Sequence, residues 1–284
     1  MDFIQRIKNA LQCPKCRRSL RYKEGNFTCL SCGSIFPINT QNPCVRFVGA
    51  SYSEEKKDIS NIRDYFKKWP KFYYFIATVF GPLWRSGLGT EEFLQVHGGK
   101  GIVLNIGSGP KVIGSTVINL DLFPYRGVSV VADALNLPFK DNSVEAVVCT
   151  EILEHLKDPE VAVSEINRVL TKSGSVYVSV PFLFPFHSSP SDFRRWTHGG
   201  LRNLFADFET IEIGVYAGPF SALTVWCSYL FASLFSFGSA SLYWFLMNLS
   251  MFVFFPIKLF DFIASRLPFA INSSAELYVI ARKK

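Results

Sequence analysis

The stretch 102–139 contains three short apolar runs, IVLNIGSGP (102–110), VINLDLFPY (117–125) and VVADALNLPF (130–139). Each run is rich in β-branched residues, as expected for strands of a parallel sheet buried on both faces. The first run ends in a glycine-rich turn, and the other two end at Asp121 and Asp133. Because ligands bind outside the carboxyl ends of parallel strands, the three runs predict one binding edge.

The residue types at this edge suit an adenosine-bearing cofactor. Gly107 and Gly109 carry no side chain where the backbone must approach the ligand. Asp121 can accept hydrogen bonds from two ribose hydroxyls, and Asp133 can accept one from an adenine amino group.

A nicotinamide dinucleotide fits this stretch less well. Val112 stands where the G-x-G-x-x-G pattern needs its third glycine. Only 11 residues separate Asn105 from Val117. This length is close to the lower limit for a parallel crossover and leaves little room for a helix.

These segments resemble the class I S-adenosylmethionine-dependent methyltransferases, in particular the type 11 group. The resemblance includes the turn at 151–155 and continues through 170–181 and 192–205. It implies an α/β fold with a doubly wound, Rossmann-like sheet, S-adenosylmethionine as cofactor, and methyl transfer as the activity. The cofactor-binding residues that it implies are Asn105, Gly107, Gly109, Asp121, Asp133, Ala134 and Glu151.

The turn Glu151-Ile-Leu-Glu154-His155 is open to two interpretations. A carboxylate here could hold the methionine amino group or a polar substrate. The same ExxEH pattern binds a divalent metal in a few O-methyltransferases of ubiquinone synthesis and of small RNAs. His187 would then be a fourth ligand. The commoner case in the family is the same turn without a metal.

Methyl transfer needs an in-line approach to the sulfonium methyl, and a base if the nucleophile carries a proton. His187 is the best candidate base by position and pKa range, although a surface loop histidine is an equally good interpretation. Asp192 and Arg195 follow on a segment that lines the acceptor side in the family. We therefore predict His187, Asp192 and Arg195 as catalytic residues.

Two CxxC pairs near the N-terminus predict a zinc site with Cys13, Cys16, Cys29 and Cys32 as ligands. Four thiolates leave no open coordination position, so the zinc is expected to be structural rather than catalytic. Two disulfides are the alternative. The segment also resembles the zinc-binding domains of the methyltransferase-activator type, which contact a protein partner or an RNA.

The C-terminal third holds 45 residues, 213–257, without one Asp, Glu, Lys, Arg or His. It divides near Gly238 into two apolar halves, which predict a helical hairpin at 219–257 inserted before the last strand. Each half is close to the lower limit for crossing a bilayer. A membrane-facing hairpin is favoured over a buried insertion or a dimer face. The net charge of +7 also favours an anionic surface.

The predicted organisation is a zinc ribbon at 1–48, a linker or helix at 49–68 that separates it from the rest, and a methyltransferase domain at 69–284. Within the last, the apolar run 72–84 is interpreted as a helix covering the cofactor, with an interfacial segment as the alternative.

The predicted function is S-adenosylmethionine-dependent methylation of a membrane-proximal or lipid-linked acceptor, such as a glycolipid, saccharide or quinone-type oxygen. The predicted location is the cytoplasm, at the inner face of the membrane, because the N-terminus lacks the apolar run of a signal peptide. The alternatives are an RNA methyltransferase that binds its substrate through the ribbon, and a non-catalytic S-adenosylmethionine-binding adaptor. A protein partner could also bind the ribbon.

Overall fold

A computed structural model of the protein describes residues 2–39, 43–48, 79–81, 83–187 and 191–284. The linker predicted at 49–68 and most of the apolar run 72–84 lie outside these residues. The strands are β1 Leu20–Lys23, β2 Asn26–Cys29, β3 Ile35–Asn39, β4 Cys44–Arg46, β5 Val103–Ile106, β6 Val117–Asp121, β7 Val130–Val131, β8 Val144–Thr150, β9 Leu170–Pro181, β10 Phe208–Ala217 and β11 Glu276–Lys283. The α-helices are α1 Asp2–Ile7, α2 Thr90–His97, α3 Pro159–Val169, α4 His198–Leu204, α5 Pro219–Phe235, α6 Ala240–Phe254 and α7 Asp261–Ala264.

The strands of the described chain form one mixed sheet in the order β1-β2-β3-β4-β7-β6-β5-β8-β9-β11-β10. The five central strands, from β7 to β9, are parallel, and β11 then pairs antiparallel with both β9 and β10. This arrangement confirms the predicted α/β fold, including an antiparallel last strand. The carboxyl ends of all five parallel strands lie at one edge, which we call the binding edge.

The crossovers on one side of the sheet are short. No helix is present in residues 107–116 between β5 and β6, or in 122–129 between β6 and β7. The crossover from β8 to β9 instead contains α3, which starts with Pro159 at its first turn. The short spacing in the sequence therefore corresponds to a direct loop without a helix.

The ribbon joins the main sheet instead of standing apart behind a linker. β4 lies parallel to β7, with hydrogen bonds from the Val45 N–H to the Ser129 carbonyl at 2.9 Å and from the Phe47 N–H to the Val131 carbonyl at 2.8 Å. Ile7 and Leu11 are fully buried in the same apolar cluster as the central strands. The described ribbon and the sheet thus share one hydrophobic core.

An ion-pair network around the buried Glu165 carboxylate reinforces this junction. Arg17, next to the zinc ligand Cys16, donates two hydrogen bonds of 3.1 Å to the carboxylate of Glu165 on α3. The same carboxylate accepts hydrogen bonds from Arg168 and from the Leu137 N–H. These partners hold the pKa of Glu165 below its usual range, although burial opposes the shift.

The apolar insertion lies between β10 and β11, as predicted. β10 runs in the same direction as the parallel strands because it is antiparallel to β11, which is antiparallel to β9. β10 therefore ends, and β11 begins, at the binding edge. The insertion emerges beside the site described next.

Candidate functional site

The glycine-rich turn after β5 has the backbone that the sequence predicts. Gly107 has φ of 66° and Gly109 has φ of 52°, a region that favours glycine. A Cβ at Gly107 would lie 2.0 Å from Cδ1 of Ile152, so a larger residue fits there only if Ile152 moves. A Cβ at Gly109 would meet nothing within 4 Å. The turn is thus packed at Gly107 and open at Gly109, where a ligand can approach.

Asp121 holds this turn in place. One carboxylate oxygen accepts from the Gly109 N–H at 2.8 Å, and the other accepts from the Phe123 N–H at 2.9 Å. Burial raises the pKa of Asp121, while the backbone hydrogen bonds oppose that shift. Each carboxylate oxygen has a second lone pair, so Asp121 can still accept hydrogen bonds from a ribose.

Asp133 and Ala134 follow β7 at the same edge. The Asp133 carboxylate accepts from the Leu135 N–H at 2.9 Å, which fixes the loop. A cavity of about 210 Å³ opens beside Asp133, and the ribbon supplies part of its wall. Its lining residues are Pro14, Lys15, Phe47, Val48, Ala132, Asp133 and Asn136.

Asn105 does not fit the role expected from the resemblance. Its side chain is buried and donates to the Asn119 amide oxygen at 3.0 Å. Asn119 in turn donates to the Gly127 carbonyl at 3.1 Å. Asn105 thus joins a chain of amides between neighbouring strands, and we expect it to hold β6 in register rather than to bind the cofactor.

Three glutamates gather where β8 and β11 meet the binding edge: Glu154 and Glu276 are buried, and Glu151 is half-buried. Glu151 has φ of 54°, a strained conformation for a residue with a side chain, and accepts a hydrogen bond from Ser179 at 3.3 Å. Burial raises the pKa values of all three carboxyl groups, and repulsion from the charge of Glu151 raises those of Glu154 and Glu276 further. Such clusters of shifted carboxyl groups are characteristic of functional sites.

Glu276 was not predicted as a site residue. It is buried at the first position of β11, opposite Pro181. The sequence feature that could have indicated it is a single acidic residue at the start of the apolar strand ELYVIA (276–281). A charged residue there is costly unless it has a function or a partner.

The structure brings His187, Asp192 and Arg195 together. Asp192 accepts from Arg195 at 2.5 and 2.6 Å and from the His187 N–H at 2.8 Å. Arg195 also donates to the carbonyls of Phe184 and Pro185. Because its donors are used in this way, we expect Arg195 to position the His187 loop, and we expect Asp192 to have the same role.

The four predicted zinc ligands converge. The Cys13 and Cys32 sulfur atoms are 3.6 Å apart, and those of Cys16 and Cys29 are 3.4 Å apart. Sulfur atoms around tetrahedral Zn²⁺ are about 3.8 Å apart for Zn–S bonds of about 2.3 Å. A disulfide needs about 2.05 Å. The cluster therefore fits a structural zinc, which would link the two knuckles, and it does not fit two disulfides.

The helical hairpin α5–α6 has an inverted distribution of side chains. Its buried residues are mostly small or hydroxylated, and its exposed residues are large and apolar. The buried set includes Ser221, Thr224, Ser228, Ala232 and Ser250; the exposed set includes Leu223, Trp226, Leu230, Leu234, Trp244, Phe245, Leu249 and Phe252. The hydroxyl groups of Thr224, Ser228 and Ser250 donate to carbonyls of their own helices, as Thr224 does to Phe220 at 2.8 Å, whereas that of Ser221 accepts from the Trp84 N–H.

The hairpin also touches the site. The Tyr229 hydroxyl on α5 donates to the Phe186 carbonyl at 3.2 Å, next to His187. Among the described residues, one helical segment, Ala240–Ala264, is long and apolar enough to cross a membrane by length and composition, with 17% of the tested window buried. The large apolar face therefore lies beside the candidate site.

Comparisons with known proteins agree with the central part of this description. Residues 104–178 match a family model described as a methyltransferase domain. A protein of Methanocaldococcus jannaschii, named uncharacterized protein MJ0638, is 38% identical over 61 residues, which span 22% of this chain and 27% of that relative.

Solved structures of low similarity were also found. One belongs to a complex of the Haloferax volcanii Trm112 methyltransferase activator with a methyltransferase: 18% identity, TM-score 0.44, covering 78% of this chain and 97% of that chain. Another is Haemonchus contortus phosphoethanolamine N-methyltransferase 2 with S-adenosyl-L-methionine: 17% identity, TM-score 0.44, covering 80% of this chain and 61% of that chain. These scores carry no argument about activity or partners.

The matched segment runs from β5 to β9 and includes the glycine-rich turn, both aspartates and Glu151. Residues 104–178 of the chain therefore form a methyltransferase domain, and S-adenosylmethionine is its methyl donor.

Proposed function

We propose that the protein transfers a methyl group from S-adenosylmethionine to an acceptor that is presented at a membrane surface. The observation that carries the proposal is the position of the inverted apolar hairpin, which emerges at the same sheet edge as the glycine-rich turn and Asp121. The glycine-rich turn and Asp121 bind S-adenosylmethionine, and the hairpin holds the binding edge next to the bilayer.

The residues of the binding edge have distinct roles in this proposal. Asp121 binds the ribose and Asp133 binds the adenine. Gly109 has no side chain, so the cofactor can approach the backbone there. Glu151 lies after β8, where the methionine part and the sulfonium are expected to lie. In the transfer the acceptor atom bonds to the methyl carbon as the carbon–sulfur bond breaks, and an acceptor hydroxyl also loses its proton. S-adenosylhomocysteine is the second product.

Replacing Asp121 tests the donor site. We expect Asp121→Asn to weaken S-adenosylmethionine binding by about 100-fold, because hydrogen bonds to a charged group contribute roughly 1.5–3 kcal/mol each. Isothermal titration calorimetry measures the change. The matched control is Asp207→Asn, an exposed acid directly before β10 at the opposite edge of the sheet. Equal affinity of both variants for S-adenosylmethionine would show that Asp121 does not bind the cofactor.

The membrane surface is inferred from the exposed rings and leucines of α5 and α6. Burying each large apolar side chain in the interface stabilises the bound state by roughly 1.5–3 kcal/mol. Arg266, whose guanidinium lies 4.7 Å from the centre of the Phe262 ring, follows the hairpin and suits an anionic headgroup layer. We propose the cytoplasmic face of the membrane as the location.

Vesicle flotation tests this surface. With vesicles of phosphatidylcholine and phosphatidylglycerol, the wild-type protein is expected to float, and Trp244→Ser/Phe245→Ser is expected to partition at least tenfold less. Val96→Ser on α2 serves as the control, since Val96 is also an exposed apolar residue but lies far along the chain from the hairpin. A wild-type protein that stays at the bottom of the gradient would refute the membrane proposal and leave the donor site intact.

A protein partner would bind the outer side of the ribbon. The inner side is covered by the chain's own sheet through β4 and α1. Leu30, within the Cys29–Cys32 knuckle, and Ile35, at the start of β3, are exposed apolar residues that could contact such a partner.

A further inference from the structure

Glu276 is a buried carboxylate that binding of the cofactor does not explain. It is 3% exposed, and its side chain forms no hydrogen bond or ion pair with another residue of the described chain. A buried carboxylate without a partner is costly, because burial removes its hydration. The cost points to a ligand that the chain itself does not supply.

The register of the sheet places Glu276 beside Glu151. Glu276 pairs with Pro181 and Tyr278 pairs with Ser179, so the side chains of Glu276 and Ser179 are diagonal neighbours on one face of the sheet. Diagonal neighbours are about 7–8 Å apart, within reach of long side chains. Ser179 donates to the Glu151 carboxylate at 3.3 Å. The carboxylates of Glu151 and Glu276 therefore lie close together above β9 at the binding edge.

Glu154 is a second buried carboxylate without a partner at this edge. Neither of its oxygen atoms has a hydrogen bond. Nε2 of His155 and Nε2 of His187 lie 3.7 and 3.9 Å from one of these oxygen atoms, beyond hydrogen-bond length. Burial also lowers the pKa of His187, which favours its neutral form. Hydrogen bonds from the histidines therefore do not satisfy Glu154.

Arg195 does not balance these carboxylates either. It donates to Asp192 at 2.5 and 2.6 Å, so the charge of Asp192 matches its own. S-adenosylmethionine carries a sulfonium, an ammonium and a carboxylate group, and its single net positive charge matches one further carboxylate. Three glutamates gather at the edge, so two carboxylates remain for a second cation.

The position of Glu276 connects this second cation with the apolar hairpin. Ala275, directly before Glu276, donates to the Gly218 carbonyl at 3.2 Å, and Gly218 directly precedes α5. Glu276 thus lies at the base of the hairpin. An amphiphilic cation can place its charge at Glu276 and its apolar tail along the exposed leucines and aromatic rings of the hairpin.

We propose that the methyl acceptor is the amine of an amphiphilic molecule, and that Glu276 and Glu154 bind it as an ammonium ion beside the methyl donor. The proposal rests on the proposed methylation at a membrane surface and narrows its acceptor to a nitrogen atom. An ammonium group offers several N–H donors and a charge, whereas a neutral hydroxyl group offers one O–H donor and no charge. This acceptor class differs from the oxygen acceptors expected from the sequence.

Glu276 also serves as the proton acceptor in this reaction. The ammonium ion gives one proton to the Glu276 carboxylate, and burial, which raises the pKa of this group, favours that step. The freed nitrogen lone pair bonds to the methyl carbon as the carbon–sulfur bond breaks, and the electron pair of that bond stays on sulfur. The products are a methylated ammonium ion and S-adenosylhomocysteine, and Glu276 then releases its proton to water.

Calorimetry with n-octylammonium chloride tests binding of the cation. The zinc-loaded wild type, saturated with S-adenosylhomocysteine, should bind one n-octylammonium ion per chain. It should bind 1-octanol, a neutral probe with the same tail, at least tenfold more weakly. Glu276→Gln and Glu154→Gln should each weaken n-octylammonium binding at least tenfold, because each removes a charge and keeps the shape. Glu91→Gln is the matched control, since Glu91 is an exposed acid in the first turn of α2.

Thermal unfolding separates loss of the site from loss of the fold. The n-octylammonium ion should raise the melting temperature of the wild type and of Glu91→Gln by mass action, and it should not raise that of Glu276→Gln. Equal affinity of the wild type for n-octylammonium and 1-octanol would overturn the proposal, as would undiminished n-octylammonium binding by Glu276→Gln. Binding of S-adenosylmethionine and vesicle flotation are measured separately, so the acceptor claim can fail while the donor site and the membrane surface stand.

Discussion

Loss of the zinc ligand Cys16 is expected to unfold the methyltransferase domain together with the ribbon. Structural zinc contributes roughly 10–16 kcal/mol in zinc-finger peptides, whereas whole domains are stable by only about 5–15 kcal/mol. In this protein the ribbon supplies buried residues to the common core, one strand to the sheet, and Arg17 to the buried Glu165 carboxylate. If the ribbon unfolded, the domain would lose all three of these contributions.

Calorimetric unfolding of Cys16→Ser measures this effect. The wild type should unfold in one transition, and the variant should lose that transition or show it at a much lower temperature. Leu30→Ser is the matched control, because Leu30 is an exposed residue of the Cys29–Cys32 knuckle and should leave the melting temperature nearly unchanged. If the Cys16 variant kept a methyltransferase transition at the wild-type temperature, the shared core would be refuted.

The second large effect is expected at Gly109. A Cβ there meets no protein atom within 4 Å, so the space it would fill is the space left for the cofactor. We expect Gly109→Ala to lower S-adenosylmethionine affinity at least tenfold, with a stability loss of only about 1–2 kcal/mol from the left-handed backbone.

Gly25→Ala is a matched control for this variant. Gly25 also has positive φ and open surroundings, but it lies in the turn between β1 and β2 of the ribbon. It should show the same small stability loss and no change in affinity. Gly107→Ala should differ from both, because its Cβ collides with Ile152 and the fold itself is destabilised. Equal affinities of the Gly109 and Gly25 variants would contradict the proposed cofactor position.

Local signals allowed the binding edge and the hairpin to be predicted from sequence. The glycines, Asp121 and Asp133 each follow a buried strand at a fixed spacing, so the edge could be assembled without knowledge of long-range contacts. The uncharged run from 213 to 257 likewise predicts α5 and α6 from composition alone.

The features that escaped prediction all depend on contacts between distant parts of the chain. β4 has only three residues and no periodicity, so its pairing with β7 leaves no trace in the sequence. The resemblance implied a cofactor role for Asn105. Its hydrogen bond to Asn119 could not be foreseen, because Asn119 lies on another strand. Arg195 was expected to face a substrate, but carbonyls and Asp192 use its donors.

The same limit applies to Glu154 and its two histidines. The sequence places Glu154 and His155 on one turn, but the second histidine comes from the loop after β9, and its orientation depends on Asp192 and Arg195. Only the assembled site shows that both histidines lie beside the buried Glu154 carboxylate.

Calorimetric titration of the wild-type protein with S-adenosylmethionine, and in parallel with NAD⁺, tests the central claim most directly. An open glycine turn with Asp121 beside it, and without a helix in the first crossover, predicts one S-adenosylmethionine bound per chain and no measurable binding of NAD⁺. Absence of S-adenosylmethionine binding, or binding of NAD⁺ in its place, would contradict the account.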